Sequence, residues 1–227
     1  MELILNNPVY QGLTSGDQHL SLGSENVKYF DEAVSPFVAF DEVYEKGFEE
    51  LHDLLPPGRN ILYAIPQPIA PPKGWQLLHE IQGVQMVFEE GREILPVPFT
   101  PVPLDKQHAA AMVELSKLTK PGPFGLRTIE FGYYYGIFNQ DKLVAMTGQR
   151  LHPQPYTEVS AVCTHPDHLG KGHASALVQH QVQLILQQGQ VPFLHVREDN
   201  NRAIALYERL GFRVSRNMNF YFMKREA

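Results

Sequence analysis

The chain has very little of several things. One cysteine, Cys163, occurs in 227 residues, so no internal disulfide can form, and a reducing compartment is expected. No apolar run approaches the roughly 20 residues that span a bilayer, which argues against a membrane protein. The opening MELILNNPVYQG has neither a basic start nor a long apolar stretch, so no signal peptide is read there and a cytoplasmic location is expected. Lys and Arg number 19 and do not cluster, which argues against a nucleic-acid partner. Neither internal repeats nor low-complexity tracts stand out. What is present is a 43% apolar complement, enough for a sizeable core.

Charge is uneven. Residues 1–92 hold 5 Lys+Arg against 14 Asp+Glu, a balance of −9, and residues 93–227 hold 14 against 11, a balance of +3. A basic half suits an anionic ligand, and an acidic half attracts a cationic one.

In the first half SPFVAF (35–40) and NILYAIP (60–66) read as buried strands. Asp41 is the expected N-cap of a helix EVYEKGFEELHDLL, with Tyr44, Phe48, Leu51 and Leu55 on one stripe. PPG (56–58) ends it, PQPIAPPKG is a stiff loop, and WQLLHEIQGVQMVFEEG supplies one or two strands. No Gly-rich turn or nucleophile motif is visible there. The composition shift near residues 90–95 divides the chain into an N-terminal α/β domain, 1–92, and a second domain, 93–227. PVPFTPVPL (96–104) reads as an edge strand or linker. Asp105 caps a helix carrying Met112, Leu115 and Leu118. TIEFGYYYGIFN and KLVAMTGQRL form a hairpin about Asn139-Gln140-Asp141. Strand TEVSAVCT, a helix to about 188, strand VPFLHVR, helix NRAIALYERL and a strand pair around FRVSR and NFYFMKR follow. The second half is therefore a mixed α/β sheet with helices on its faces.

The joint THPDHLGKGHA (164–174) joins a strand to a helix. The first amides of a helix lack intrahelical acceptors, and its dipole adds positive charge, so such a joint takes phosphate if nothing bulky blocks it. Gly170, Gly172 and Ala174 clear the approach, and Lys171 adds a cation. The helix buries Ala174, Leu177, Val178, Leu184 and Ile185. A nucleotide P-loop does not fit, because Gly172 rather than Ser or Thr follows Lys171 and His165 stands at the first-glycine position. The dinucleotide fingerprint fails at Ser175. His165, His168 and His173 match no zinc spacing, so no metal is expected. Cys163 alternates with apolar neighbours and reads as a core residue.

CTHPDHLGKGHA resembles the acyl-coenzyme A loop of the GNAT superfamily of N-acetyltransferases, [Q/R]xxGxG/A, with Gly172 and Ala174 at its G-x-G/A positions and Leu169 at the Gln/Arg position. EDNNRAIALYERLGFR resembles the family's second signature through Asn200, Ala203, Tyr207, Gly211 and Phe212. The resemblance implies a mostly antiparallel GNAT sheet flanked by helices over 93–227. It also implies acetyl-CoA as co-substrate and transfer of its acetyl group to a primary amine by direct attack on the thioester. Its diphosphate would rest on the amides of Leu169, Gly170, Lys171, Gly172, His173 and Ala174. Its pantetheine would run along Val162, Cys163 and Thr164, with an amide near Val162 meeting the thioester carbonyl. Asn200 would contact that arm, and Tyr207 would protonate the departing thiolate. The resemblance also makes the first half a candidate degenerate, loop-less copy of the fold.

Glu158, six residues before Thr164, is the expected base. A strict period of two puts Glu158, Ser160, Val162 and Thr164 on one face, unless a bulge intervenes. Glu130, Tyr133, Tyr134 and Tyr135 are expected to line the acceptor pocket, and Arg150 and Arg197 form salt bridges or meet an acidic acceptor. The partner would be a small-molecule or peptide amine, steered by the acidic first half, with Glu42, Glu45, Glu49 and Glu50 as the steering charges. A homodimer is compatible with the sequence. The alternative function is a catalytically silent acyl-CoA sensor or protein-interaction module on the same fold.

Overall fold

A computed structural model describes residues 2–92 and 100–227. In chain order the elements are α1 (Pro8–Leu13), β1 (Leu22–Gly23), β2 (Val27–Tyr29), β3 (Phe37–Phe40), α2 (Gly47–Leu54), β4 (Asn60–Ile65), β5 (Trp75–Phe88) and β6 (Val102–Pro103). Then follow α3 (Ala109–Thr119), β7 (Tyr135–Asn139), β8 (Lys142–Gln149), β9 (Tyr156–Thr164), α4 (His173–Gln187), β10 (Val191–Arg197), α5 (Asn201–Arg209) and β11 (Phe212–Arg225).

The described residues build one mixed, mostly antiparallel sheet in the order β1-β2-β3-β4-β11-β5-β10-β9-β8-β7-β6. This sheet crosses the expected boundary at residue 92. β5, from the first half, lies between β11 and β10, antiparallel to both. The reason is register. Val84, Met86 and Phe88 share one face with Leu194, Val196 and Phe212, and together they bury against α4 and α5. Val87, Phe193 and Met218 face the other way, into a core shared with α1, α3 and β3.

Several sequence expectations are corrected. The final strand pair is a single strand, β11, whose polar Ser215 and Arg216 fall at a bulge between Val214 and Arg216 instead of a turn. The helix after β3 starts at Gly47. Asp41 caps a separate turn, taking the Val43 N–H at 3.0 Å. Segment 128–134 is a 3-10 turn followed by Gly132 and Tyr133 at φ 87° and 54°, so β7 begins only at Tyr135. Leu118 is exposed, while Met112 and Leu115 are buried. In α4 Leu177, Val178 and Ile185 are buried, but Ala174 and Leu184 only partly so. The run 96–99 lies outside the described residues; its continuation, β6, is an edge strand paired with β7.

Asp17 ties the N-terminal segment to the β8–β9 connection. It is fully buried, accepts the His152 N–H at 2.8 Å and meets His152 Nδ1 at 2.6 Å. Asp17→Ala strands both donors, so a loss of about 2 kcal/mol is expected in urea unfolding. A loss under about 0.5 kcal/mol, the level of an ordinary surface change, would mean the contact is incidental.

Candidate active site

β9 and β10 are parallel, and they pair only at Tyr156, Thr157 and Glu158 against Val191, Pro192 and Phe193. Beyond that point β10 stays with β5 while β9 stays with β8, so the two strands part. β9 is also bulged. Ser160 pairs with Gly148 and Cys163 with Met146, leaving Ala161 and Val162 opposite Thr147 alone, with Ala161 at φ 52°. A bulge removes backbone groups from the ladder and reverses the facing of the residues beyond it. The strict alternation expected for β9 therefore fails. Val159 and Val162 share the α4/α5 face, whereas Ala161 and Cys163 join the core under α3.

A cavity of about 640 Å³ runs through this gap. On the α4/α5 face Val162, Thr164, Leu169, Gly170, Gly172, His173, Ala174, Asn200 and Tyr207 line it, as the sequence suggested. Two expected residues do not. Cys163 is buried under α3 beside the Thr119 hydroxyl, and burial pushes its thiol up to about 12, so it is inert core. Lys171 is exposed, with Nζ 3.4 Å from His168 Nδ1.

The glycine joint has the shape an anion needs. Gly170 and Gly172 have φ of 75° and 79°, and a Cβ built on either meets nothing within 4 Å. The space is open, and it lies where the first amides of α4 emerge with no side-chain cap on Gly172. Thr164 Oγ1 is buried at the cavity without a hydrogen-bond partner among the described residues. These features fit a diphosphate ester with a polar arm, the chemistry of coenzyme A. Asn200 accepts the Ala203 N–H at 3.1 Å as the cap of α5, which leaves its amide nitrogen to donate. The Tyr207 hydroxyl makes no hydrogen bond among the described residues. Burial, with Cys163 nearby, pushes its pKa up to about 12, so it stays protonated at neutral pH.

On the opposite face the cavity meets Thr119, Lys120, Pro121, Arg150 and His195. Behind them lies Glu158, 1% exposed. Arg150 Nε and Nη2 donate to its two oxygens at 2.8 and 2.6 Å, and His195 Nδ1 lies 2.8 Å from Oε1. Burial opposes the charge, but Arg150 and then His195 overcome it and hold the carboxyl at about 2. Glu158 does not line the cavity among the described residues, and it cannot hold a proton at neutral pH. The expected base is thus an anchor for two wall residues. The first half backs this wall. The Phe37 ring lies 4.8 Å from the Arg150 guanidinium carbon, and Gln85 Nε2 sits 3.0 Å from His195 Nε2 and donates to the Leu5 carbonyl at 2.9 Å.

Of the other acceptor candidates, only Arg197 lines the cavity among the described residues. Glu130 is paired with Arg127 at 2.8 Å, Tyr133 is half exposed, Tyr134 is buried, and Tyr135 packs on His180. Glu42, Glu45, Glu49 and Glu50 are not among the lining residues; Arg197 does line the cavity, but it is paired with Asp199 at 2.7 Å. Sequence reading missed His195, although a polar residue between apolar neighbours in VPFLHVR is the signal that could have found it. Lys120 carried no such signal.

Comparison with known proteins bears on the family and the fold. The family model described as FR47-like protein matches residues 134–221. A crystal structure from Novosphingobium aromaticivorans, assigned to the GNAT acetyltransferase family, is 32% identical over 99% of each chain, with a TM-score of 0.88. A GCN5-related N-acetyltransferase from Kribbella flavida shares the fold at 15% identity over 95% of each chain, TM-score 0.61. A GCN5-related N-acetyltransferase-like protein from Streptococcus suis does so at 16% identity over 97% of this chain and 96% of its own, TM-score 0.59. No curated protein matches the chain. With 32% identity to the Novosphingobium aromaticivorans protein over 99% of each chain, and a sheet parted and bulged beside a glycine-lined helix start, the chain belongs to the GNAT family of acetyltransferases.

Proposed function

We propose that this chain moves the acetyl group of acetyl-CoA to a primary amine. The observation that carries the reading is the gap between β9 and β10, which joins an open anion cradle on one face to a separate polar mouth on the other. The cradle amides from Leu169 to Ala174 hold the diphosphate. The freed backbone at Ala161–Val162 and the Thr164 hydroxyl hold the arm and polarise the thioester carbonyl. The thioester supplies an activated acyl carbon. The amine reaches it from the Arg150–His195 side. The attacking amine must be neutral, and it releases its proton to water at the mouth, where Lys120 is the exposed cation. As the C–N bond forms and the C–S bond breaks, Tyr207 gives its proton to sulfur and regains one from the new amide nitrogen through solvent.

Calorimetry with acetyl-CoA and a broad amine screen for free thiol test this reading. Turnover of at least one amine is expected. Binding with no turnover of any amine would favour the silent sensor, and no binding would remove both. Gly172→Val is expected to weaken acetyl-CoA binding at least tenfold. It puts a branched side chain into the cradle at a φ that costs about 1–3 kcal/mol. Unchanged affinity in a folded variant would contradict the cradle.

A further inference from the structure

The cavity wall has a one-sided charge. Among the described residues that line it, Lys120, Arg150, Arg197, Arg202 and Arg209 are cationic, His168, His173 and His195 add imidazoles, and no aspartate or glutamate contributes. One anion explains only part of this. Arg202 and Arg209 lie on α5, and His168 and His173 at the glycine joint, all on the face where the diphosphate is held. Lys120 and Arg150 are on the other face. Lys120 closes the C-terminus of α3, which packs with Cys163 and Phe193, and Arg150 stacks on Phe37 of the same core. A ligand group gripped at α4 is separated from them by the sheet.

Glu158 balances the charge of Arg150, but neither cation has used all its donors. Arg150 uses Nε and Nη2 on Glu158, and its other terminal nitrogen, Nη1, has no partner among the described residues. Lys120 is exposed at the cavity rim, and its Nζ makes no hydrogen bond or ion pair among the described residues. Its backbone is fixed at φ 50° as the left-handed cap of α3, with its N–H bonded to the Ser116 carbonyl at 2.7 Å.

Resting on the acetyltransferase reading above, we infer that the acceptor carries a carboxylate close to its amine, as an amino acid does, and that Lys120 and Arg150 Nη1 bind that carboxylate. An ammonium ion alone meets no carboxylate among the described lining residues and faces the exposed Lys120. A zwitterion enters with its negative end toward the two cations, and an Arg–carboxylate contact fixes its orientation. Held there, the amine points into the gap, beside the bulge of β9.

The test uses the full chain, saturating acetyl-CoA, and matched probes: a panel of free amino acids, the same compounds as C-terminal amides, and simple diamines, with released thiol as the readout. At least one free amino acid is expected to be acetylated with a kcat/KM at least tenfold above that of its amide. Lys120→Glu is expected to cut that acid-to-amide ratio at least tenfold while acetyl-CoA affinity, measured by calorimetry, stays within about threefold. Amides or diamines equal to or better than every amino acid overturn the inference and leave the acetyltransferase reading intact. Turnover of no probe despite acetyl-CoA binding also overturns it. A Lys120→Glu variant that is folded by circular dichroism but keeps its ratio removes Lys120 from the site. Failure of acetyl-CoA to bind removes the reading beneath it.

Discussion

Glu158→Ala is expected to destabilise the protein by about 3–5 kcal/mol, because it leaves Arg150 and His195 at a buried site without their shared anion. Glu158 is 1% exposed, and all its partners lie within 2.8 Å. If the pair is what matters, Glu158→Leu combined with Arg150→Met should recover most of the loss, since replacing a buried ion pair by apolar groups of similar volume is often neutral. Urea unfolding of the two singles and the double measures this coupling. A double variant no more stable than Glu158→Ala would show that the pair is not the source of the cost. The acid limb carries the same information. The native carboxyl titrates at about 2, below its ordinary range near 4.3. Its stabilising contribution is therefore present above about pH 4 and is lost as pH falls toward 2. Wild type should lose stability across that window more steeply than Glu158→Gln. Parallel curves would contradict the assignment.

Tyr207→Phe is expected to lower kcat by about 10²-fold or more, the usual weight of a positioned general acid, with acetyl-CoA affinity changed by less than about threefold. The substitution keeps the ring, which packs 6.1 Å from Phe212 in the core under α4 and α5, and removes only the hydroxyl. Because that hydroxyl bonds to nothing among the described residues, the fold should not register its loss. Steady-state kinetics with an amine found in the screen, together with calorimetry, separates the two effects. An unchanged kcat would move proton delivery to solvent.

Much of the glycine-joint side of the cavity was legible in the chain itself. Glycines at 170 and 172, between a β-rich run and an amphipathic one, specify a strand-to-helix joint with open amides whatever surrounds them. Asn200 and Tyr207 are placed by helical spacing in the same local way. The acceptor side was not legible. Glu158 read as a base because a carboxylate beside a cofactor strand is a chemical opportunity, and nothing in TEVSAVCT shows that Arg150 and His195 neutralise it. The bulge at Ala161 defeats any strict period, since one extra residue turns every later side chain to the other face. The proposed division at residue 92 followed composition, whereas hydrogen-bond pairing put β5 between β10 and β11.

The sequence by itself determined the anion cradle, the helix that carries Tyr207 and the family, because each rests on local geometry within a dozen residues. Only the tertiary structure decided which charges face the ligand. Pairing of Arg150, Glu158 and His195 is a matter of distance between strands, and the field at the mouth depends on which charges are cancelled.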